Sequence, residues 1–168
     1  MIMYIEGEKS SEVTTMDKLA DVVETVMMVL TVSMVVLVTY QVFGRYIFHY
    51  TPPWSEEMAV YLMIWFGMIG IAAGLRRDAH MSLHYFADKM PLLVQRVLVF
   101  VKYGLILIYT SVLTVEGINM VKLTMHQTSP AMGLTISYVY LALPVSMVLM
   151  AIYTIELLFK TIKKGRDK

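Results

Sequence analysis

The chain has 168 residues, 58% of them hydrophobic and 16% charged, with a net charge of +1 and no cysteine. A soluble domain of this size would leave too much of that apolar surface in water, and the near-neutral charge gives no grip on nucleic acid. Without cysteine there are no disulfides, thiolate metal sites or thiol nucleophiles. What remains is an all-α integral membrane protein: a single membrane domain with four transmembrane helices.

Residues 1–16 read as a polar tail. They hold Glu6, Glu8, Glu12 and Lys9 and no apolar centre, which is unlike a cleaved signal peptide. Asp17, Lys18, Asp21 and Glu24 alternate with Leu19, Val22 and Val23, an amphipathic entry to the first span, at 19–44. Residues 25–44 carry no formal charge. Twenty residues at about 1.5 Å each cross a hydrocarbon layer of roughly 30 Å.

Pro52 and Pro53 then break the helix, because proline donates no backbone hydrogen bond. Trp54 falls where an aromatic ring lies at the water boundary. Ser55 is the expected N-cap of the second span, at 55–76, with Glu56 and Glu57 in its first turn, where the helix dipole favours negative charge. After Arg76 and Arg77 the segment is too polar to cross. Within 79–90, however, Ala79, Leu83, Phe86, Ala87 and Met90 share one helical face, and His80, His84 and Asp88 lie off it. The expectation is a short amphipathic helix in the membrane surface.

Pro91 suits the first turn of a third span at 92–123. Its uncharged stretch, 103–115, is too short to cross alone. Lys102 and Glu116 are therefore expected near its ends, on a long, tilted helix, where a charge avoids the roughly 2.5–3.5 kcal/mol cost of the bilayer centre. A loop with Pro130 and Gly133 leads to the fourth span, at 134–159, which Pro144 is expected to kink. Residues 160–168 form a basic tail. With the N-terminus inside, ten basic residues lie in inner segments against Arg45 and Lys122 outside. Both termini are therefore expected in the cytoplasm.

Few groups invite chemistry. His80 and His84 have metal-ligand spacing but lack the glutamate of a zinc-hydrolase motif. His49 and His126 also fall in loops or at helix ends, so all four histidines read as interfacial. No nucleophile is paired with a base, no glycine-rich phosphate loop appears, and no catalytic, cofactor or metal residue is assigned. Glu56 and Glu57 read either as coupling groups or, more simply, as a helix start facing water. Arg45 reads as a snorkelling side chain or as a partner for Glu56, for Glu57 or for another chain. Gly67, Gly70 and Gly74 line one helical face, where small residues let backbones approach in lipid. That face serves packing within the chain or contact with another.

Three places together carry a resemblance. They are Phe43-Gly44-Arg45-Tyr46 followed by Pro53-Trp54-Ser55-Glu56-Glu57; the run from Gly70 through Arg76-Arg77-Asp78-Ala79-His80-Met81; and Gln127-Thr128-Ser129-Pro130-Ala131 followed by Tyr140-Leu141-Ala142-Leu143-Pro144. In this order, in four spans, the chain resembles the small membrane subunit (DctQ-like) of tripartite ATP-independent periplasmic (TRAP) transporters. Met81 departs mildly from the aliphatic residue common after the family's cytoplasmic histidine.

The resemblance implies a sodium-coupled symport system for organic acid uptake in the bacterial inner membrane. Its large subunit moves like an elevator, and a periplasmic substrate-binding protein delivers the solute. The small subunit then forms a heterodimer with the large one, in contact with membrane lipids, and acts as a membrane scaffold. On that reading Arg45, Trp54, Glu56, Glu57, Gly67, Gly70, Gly74, Arg76, His80 and Pro144 are interface or structural residues, and the surface helix is a brace. The alternatives are a haem-binding four-helix anchor of a respiratory enzyme, recognised by its visible absorption, and a free-standing small channel or assembly factor, recognised by purifying without a large partner.

Overall fold

The computed structural model describes residues 15–78 and 92–166. Within them five helices follow one another: α1 (Thr15–Ile47), α2 (Pro53–Asp78), α3 (Leu92–Thr124), the single turn α4 (Ser137–Tyr140) and α5 (Ala142–Arg166). An isolated antiparallel bridge, Thr128 to Thr135, is the only β pairing among the described residues. Four stretches are long and apolar enough to cross a membrane: Met16–Ile47, Pro53–Arg76, Val97–Thr124 and Ser137–Ile162. The surface helix expected at 79–90, with His80 and His84, lies outside the described residues.

The helices form an open row. α1 packs along α2, α2 along α5, and α5 along α3, and neither α1 and α3 nor α2 and α3 share an extensive contact. The centre of the row is consequently the last helix. In its most apolar stretch 44% of residues are buried inside the chain, against 6–11% in the other three. This arrangement needs a middle helix that can be approached from both sides, and α5 meets that need with small and hydroxyl residues. Ala142, Ser146 and Thr154 are fully buried, together with Tyr153 and Met147. Each hydroxyl donates to a carbonyl of its own helix: Ser146 to Leu143 at 2.9 Å and Thr154 to Met150 at 2.7 Å. Neither hydroxyl is then left unsatisfied in hydrocarbon.

α3 answers with the same device. Tyr103, Thr110, Gly117, Val121 and Thr124 are its buried residues, spaced at sevens and then four and three, which is one helical stripe. Thr110 donates to Leu107 and Thr124 to Met120. At Gly117 the two helices pack tightly. A Cβ added there would stand 2.9 Å from Pro144 Cδ and 3.3 Å from the Leu143 side chain. Gly117→Val is therefore expected to pry α3 from α5 at an overpacking cost of about 1–3 kcal/mol. The check is a lower unfolding temperature in detergent than for a valine placed at the open Gly67.

Two details of the expected spans change. Pro53 opens α2 and Ser55 lies inside its first turn, fully buried, with its hydroxyl donating back to Pro52 O at 2.7 Å. Ser55 is thus not the N-cap: the proline's fixed φ already starts the helix, and the hydroxyl satisfies a carbonyl and not an amide. The fourth span carries a local irregularity at the point expected to kink. Pro144 has no N–H for the Tyr140 carbonyl, and α4 and α5 are separated at Leu141, yet Leu141 keeps helical angles (φ −59°, ψ −25°), donates to Ser137 O at 2.9 Å and accepts from Val145 N at 3.2 Å. The helical path thus continues past the proline, and Pro144 is buried in the first turn of α5 against Gly117.

Candidate functional site

Polar side chains gather at the two ends of the row. At the end bearing the two described connections, residues 48–52 fold back under α1. Gly44 O accepts hydrogen bonds from Phe48 N at 3.1 Å and Tyr50 N at 3.2 Å, and His49 takes a left-handed φ of 49°. The returning chain passes so near that a Cβ on Gly44 would stand 2.9 Å from Tyr50 O, which explains glycine at that position. Gln41 Nε2 donates to Ser55 O at 2.7 Å, and Tyr40 stacks on Trp54 with ring centroids 6.2 Å apart. Trp54 is thus a link between α1 and α2 as well as a boundary aromatic.

Arg45 pairs with Glu56 across the same turn, at 2.9 Å. Both side chains are more than half exposed (66% and 56%), so the pair is worth under about 1 kcal/mol. Arg45→Ala is expected to leave the thermal midpoint within a degree or two of the parent, as measured in one detergent at low and high salt.

Glu57 behaves differently. Its carboxylate accepts hydrogen bonds from Ser129 Oγ, from Ala131 N at 3.2 Å and from Met132 N at 3.2 Å. The donors sit on a tight hairpin-like loop. Ser129 N donates to Leu134 O, Ile136 N donates to Gln127 O, and Gly133 turns the chain with φ 66°. One acid on α2 therefore seats the whole connection between α3 and α4. Below it, Trp65 Nε1 donates to Tyr138 O at 3.2 Å and holds α4 against α2.

At the opposite end one guanidinium joins three helices. Arg76 Nη2 lies 2.7 Å from Asp17 Oδ1 on α1, and Arg76 Nε lies 3.5 Å from Glu156 Oε2 on α5. Its Cζ stands 5.6 Å from the centre of the buried Tyr153 ring. Lys160 reaches Glu156 Oε1 at 2.6 Å, one turn along the same helix. Glu156 is 7% exposed, so it is a buried carboxylate held by two cations. A half-open cavity of about 260 Å³ lies beside this cluster, bordered by Ala20, Val23, Glu24, Ala73, Tyr153 and Leu157 among others.

The sequence singled out Arg76 but not its partners. Asp17 reads in the sequence as part of an amphipathic entry and Lys160 as tail, and Glu156 falls unremarked within the fourth span. The Glu156 to Lys160 spacing of four was the available signal. The glycine face also differs from either simple reading. A Cβ added at Gly70 would stand 3.6 Å from Met27 Cε of α1, whereas one added at Gly67 or Gly74 would meet nothing within 4 Å among the described residues. Of the three, Gly70 is the one that lies under a side chain of another described helix. His49 and His126 are exposed in connections at the same end of the row, away from facing helices at mid-depth.

These features define a multi-pass helical membrane protein whose described polar clusters tie helix to helix. The family model for the DctQ component of tripartite ATP-independent periplasmic transporters matches residues 34–164, and the chain belongs to that family. It is a multi-pass inner-membrane protein of a transport family. Among curated relatives, it is 26% identical over 132 residues to the isethionate TRAP transporter permease protein DctMQ of Oleidesulfovibrio alaskensis, covering 74% of this chain and 21% of that protein. It is 24% identical over 131 residues to the sialic acid TRAP transporter small permease protein SiaQ of Vibrio cholerae, covering 78% and 76%. A 25% identity over 114 residues relates it to the C4-dicarboxylate TRAP transporter small permease protein DctQ of Rhodobacter capsulatus, covering 67% and 50%. The chain thus spans about a fifth, three quarters and half of these three relatives.

Proposed function

We propose that this chain is the small permease subunit of a sodium-coupled, binding-protein-dependent TRAP transporter for an organic acid anion. In that role it holds the large, elevator-type subunit steady in the membrane. The observation that carries the reading is the open row. Three of four spans leave most of their surface uncovered, and the described polar groups hold the helices in register. A protein built this way contributes contact area and resistance to movement through the bilayer. Its charged ends, with Arg45, Glu56 and Glu57 at one side and Arg76, Glu156 and Lys160 at the other, are expensive to pull into lipid. The carrier's moving part then works against a partner that stays put.

The excess of basic residues supports an orientation with the Arg76 end, and both termini, at the cytoplasmic face. The loop seated on Glu57 then faces the periplasm, on the side from which a binding protein would deliver solute. Solute choice belongs to the other subunits. The relatives named for isethionate, sialic acid and C4-dicarboxylates differ in that choice while resembling this chain to a similar degree. The test is reconstitution of the large subunit in proteoliposomes with its binding protein, a sodium gradient and labelled organic acids, with and without this chain. Transport is expected only when both membrane subunits are present. Full rate and stability from the large subunit alone would overturn the scaffold role.

A further inference from the structure

Glu116 is the one acidic residue on the interior stretch of α3, and its place in the structure is not where a lone carboxylate belongs. Its neighbour Gly117 sits against Leu143 and Pro144 at the start of α5. From Leu143 to Glu156 is thirteen residues of α5, about 20 Å of helix, and from Lys102 to Glu116 is fourteen residues of α3, about 21 Å. On the other side, Trp65 holds Tyr138 just before α5 begins, and Trp65 is itself twelve residues, about 18 Å, inside α2. Glu116 lies inside the span, eight residues or about 12 Å from Thr124, where α3 ends, and more than two helical turns from the loop that follows.

Its side chain is exposed and has no hydrogen bond or ion pair among the described residues. Asn119, one turn on, is exposed too. The rest of this stripe is apolar and open: Tyr109, Val112, Met120 and Leu123 are 46–71% exposed. A carboxylate and an amide set in an uncovered apolar stripe inside a membrane span have little solvent to satisfy them. We propose that this stripe of α3 docks a membrane helix of the large permease subunit, and that this helix carries a lysine or arginine at matching depth to pair with Glu116, with Asn119 as a hydrogen-bonding neighbour. The proposal rests on the reading of this chain as a small permease subunit. Charge complementarity selects the occupant. Lipid tails offer no cation, and a second copy would set glutamate against glutamate.

The experiment co-expresses this chain with the large subunit and recovers it in mild detergent. The parent is expected to bring the large subunit along. Glu116→Gln, which keeps shape and removes charge, is expected to reduce that recovery several-fold, and Glu116→Lys at least about tenfold, as for breaking one side of a buried charge pair. The chain has no cysteine, so Val112→Cys and Asn119→Cys each place a single reactive thiol on the stripe. Both are expected to cross-link to the large subunit in membranes. If neither cross-links to it, or if they join two copies of this chain, the proposal falls, whatever Glu116→Lys does. If the parent recovers the large subunit and both Glu116 variants recover it equally, the proposal falls while the small-subunit reading stands. If the parent recovers no large subunit, that reading fails, and this inference with it.

Discussion

Arg76→Met is expected to destabilise the protein by about 3 kcal/mol, the lower end of the cost of stripping one partner from a buried ion pair. Arg76 is where α1, α2 and α5 meet, through Asp17 at 2.7 Å, Glu156 at 3.5 Å and the face of Tyr153. Methionine fills similar space but leaves the buried Glu156 with Lys160 alone. The thermal midpoint in detergent should drop by about 6–12 °C on the scale of a chain this size. Arg76→Lys is expected to recover little, since a point charge cannot form the fork to two carboxylates or lie flat over an aromatic ring. The informative companion is Glu156→Gln. If the two groups act as a pair, the double variant loses much less than the sum of the single losses. Additive losses, or a midpoint unchanged in Arg76→Met, would show that the guanidinium does not join the three helices.

Glu57→Ala is the second large effect, and it is local. Removing the carboxylate leaves Ser129 Oγ and Ala131 N without their acceptor and Met132 N with Ser129 Oγ alone, at 3.2 Å. Hydrogen bonds to a charged group contribute about 1.5–3 kcal/mol each, though bonds that share one carboxylate do not add fully. The loop 125–136 is expected to lift from α2 while the helices stay folded. A single cysteine replacing Ala131 should then label with a membrane-impermeant maleimide several-fold faster in the Glu57→Ala background. Glu57→Gln should fall between, because its amide oxygen can keep only part of the set. Equal labelling in all three would mean that the loop is held by its own turn, through Gly133 and the Thr128 to Thr135 bridge, and not by the acid.

The contrast between Glu56 and Glu57 shows what a sequence conceals. Adjacent and identical, they read alike as first-turn acids facing water. A helix turns about 100° per residue, so one meets Arg45 in the open and the other meets a loop more than seventy residues away. The same holds for Arg76, whose two carboxylate partners lie 59 and 80 positions distant. Gly117 has no distinguishing pattern beside Gly67, Gly70 and Gly74, although a Cβ at Gly117 would collide with Pro144 while one at Gly67 or Gly74 would meet nothing among the described residues. A glycine's role depends on what lies across from it.

By itself the sequence determined that four apolar stretches cross a membrane, where prolines interrupt them, which end carries the basic excess, and which family the chain resembles. Those are properties of length, composition and local backbone chemistry, and they need no knowledge of neighbours. Only the tertiary structure decided that the helices stand in an open row with the last of them at the centre, and that Glu57 and Glu156 are fastened while Glu116 stands uncovered on α3. In lipid an apolar side chain is as content against a fatty acyl chain as against another helix, so hydropathy gives no preference for one helix order over another. The order is set by small residues that permit contact and by a few polar groups that need partners, and those act across distances in the chain that no local pattern spans.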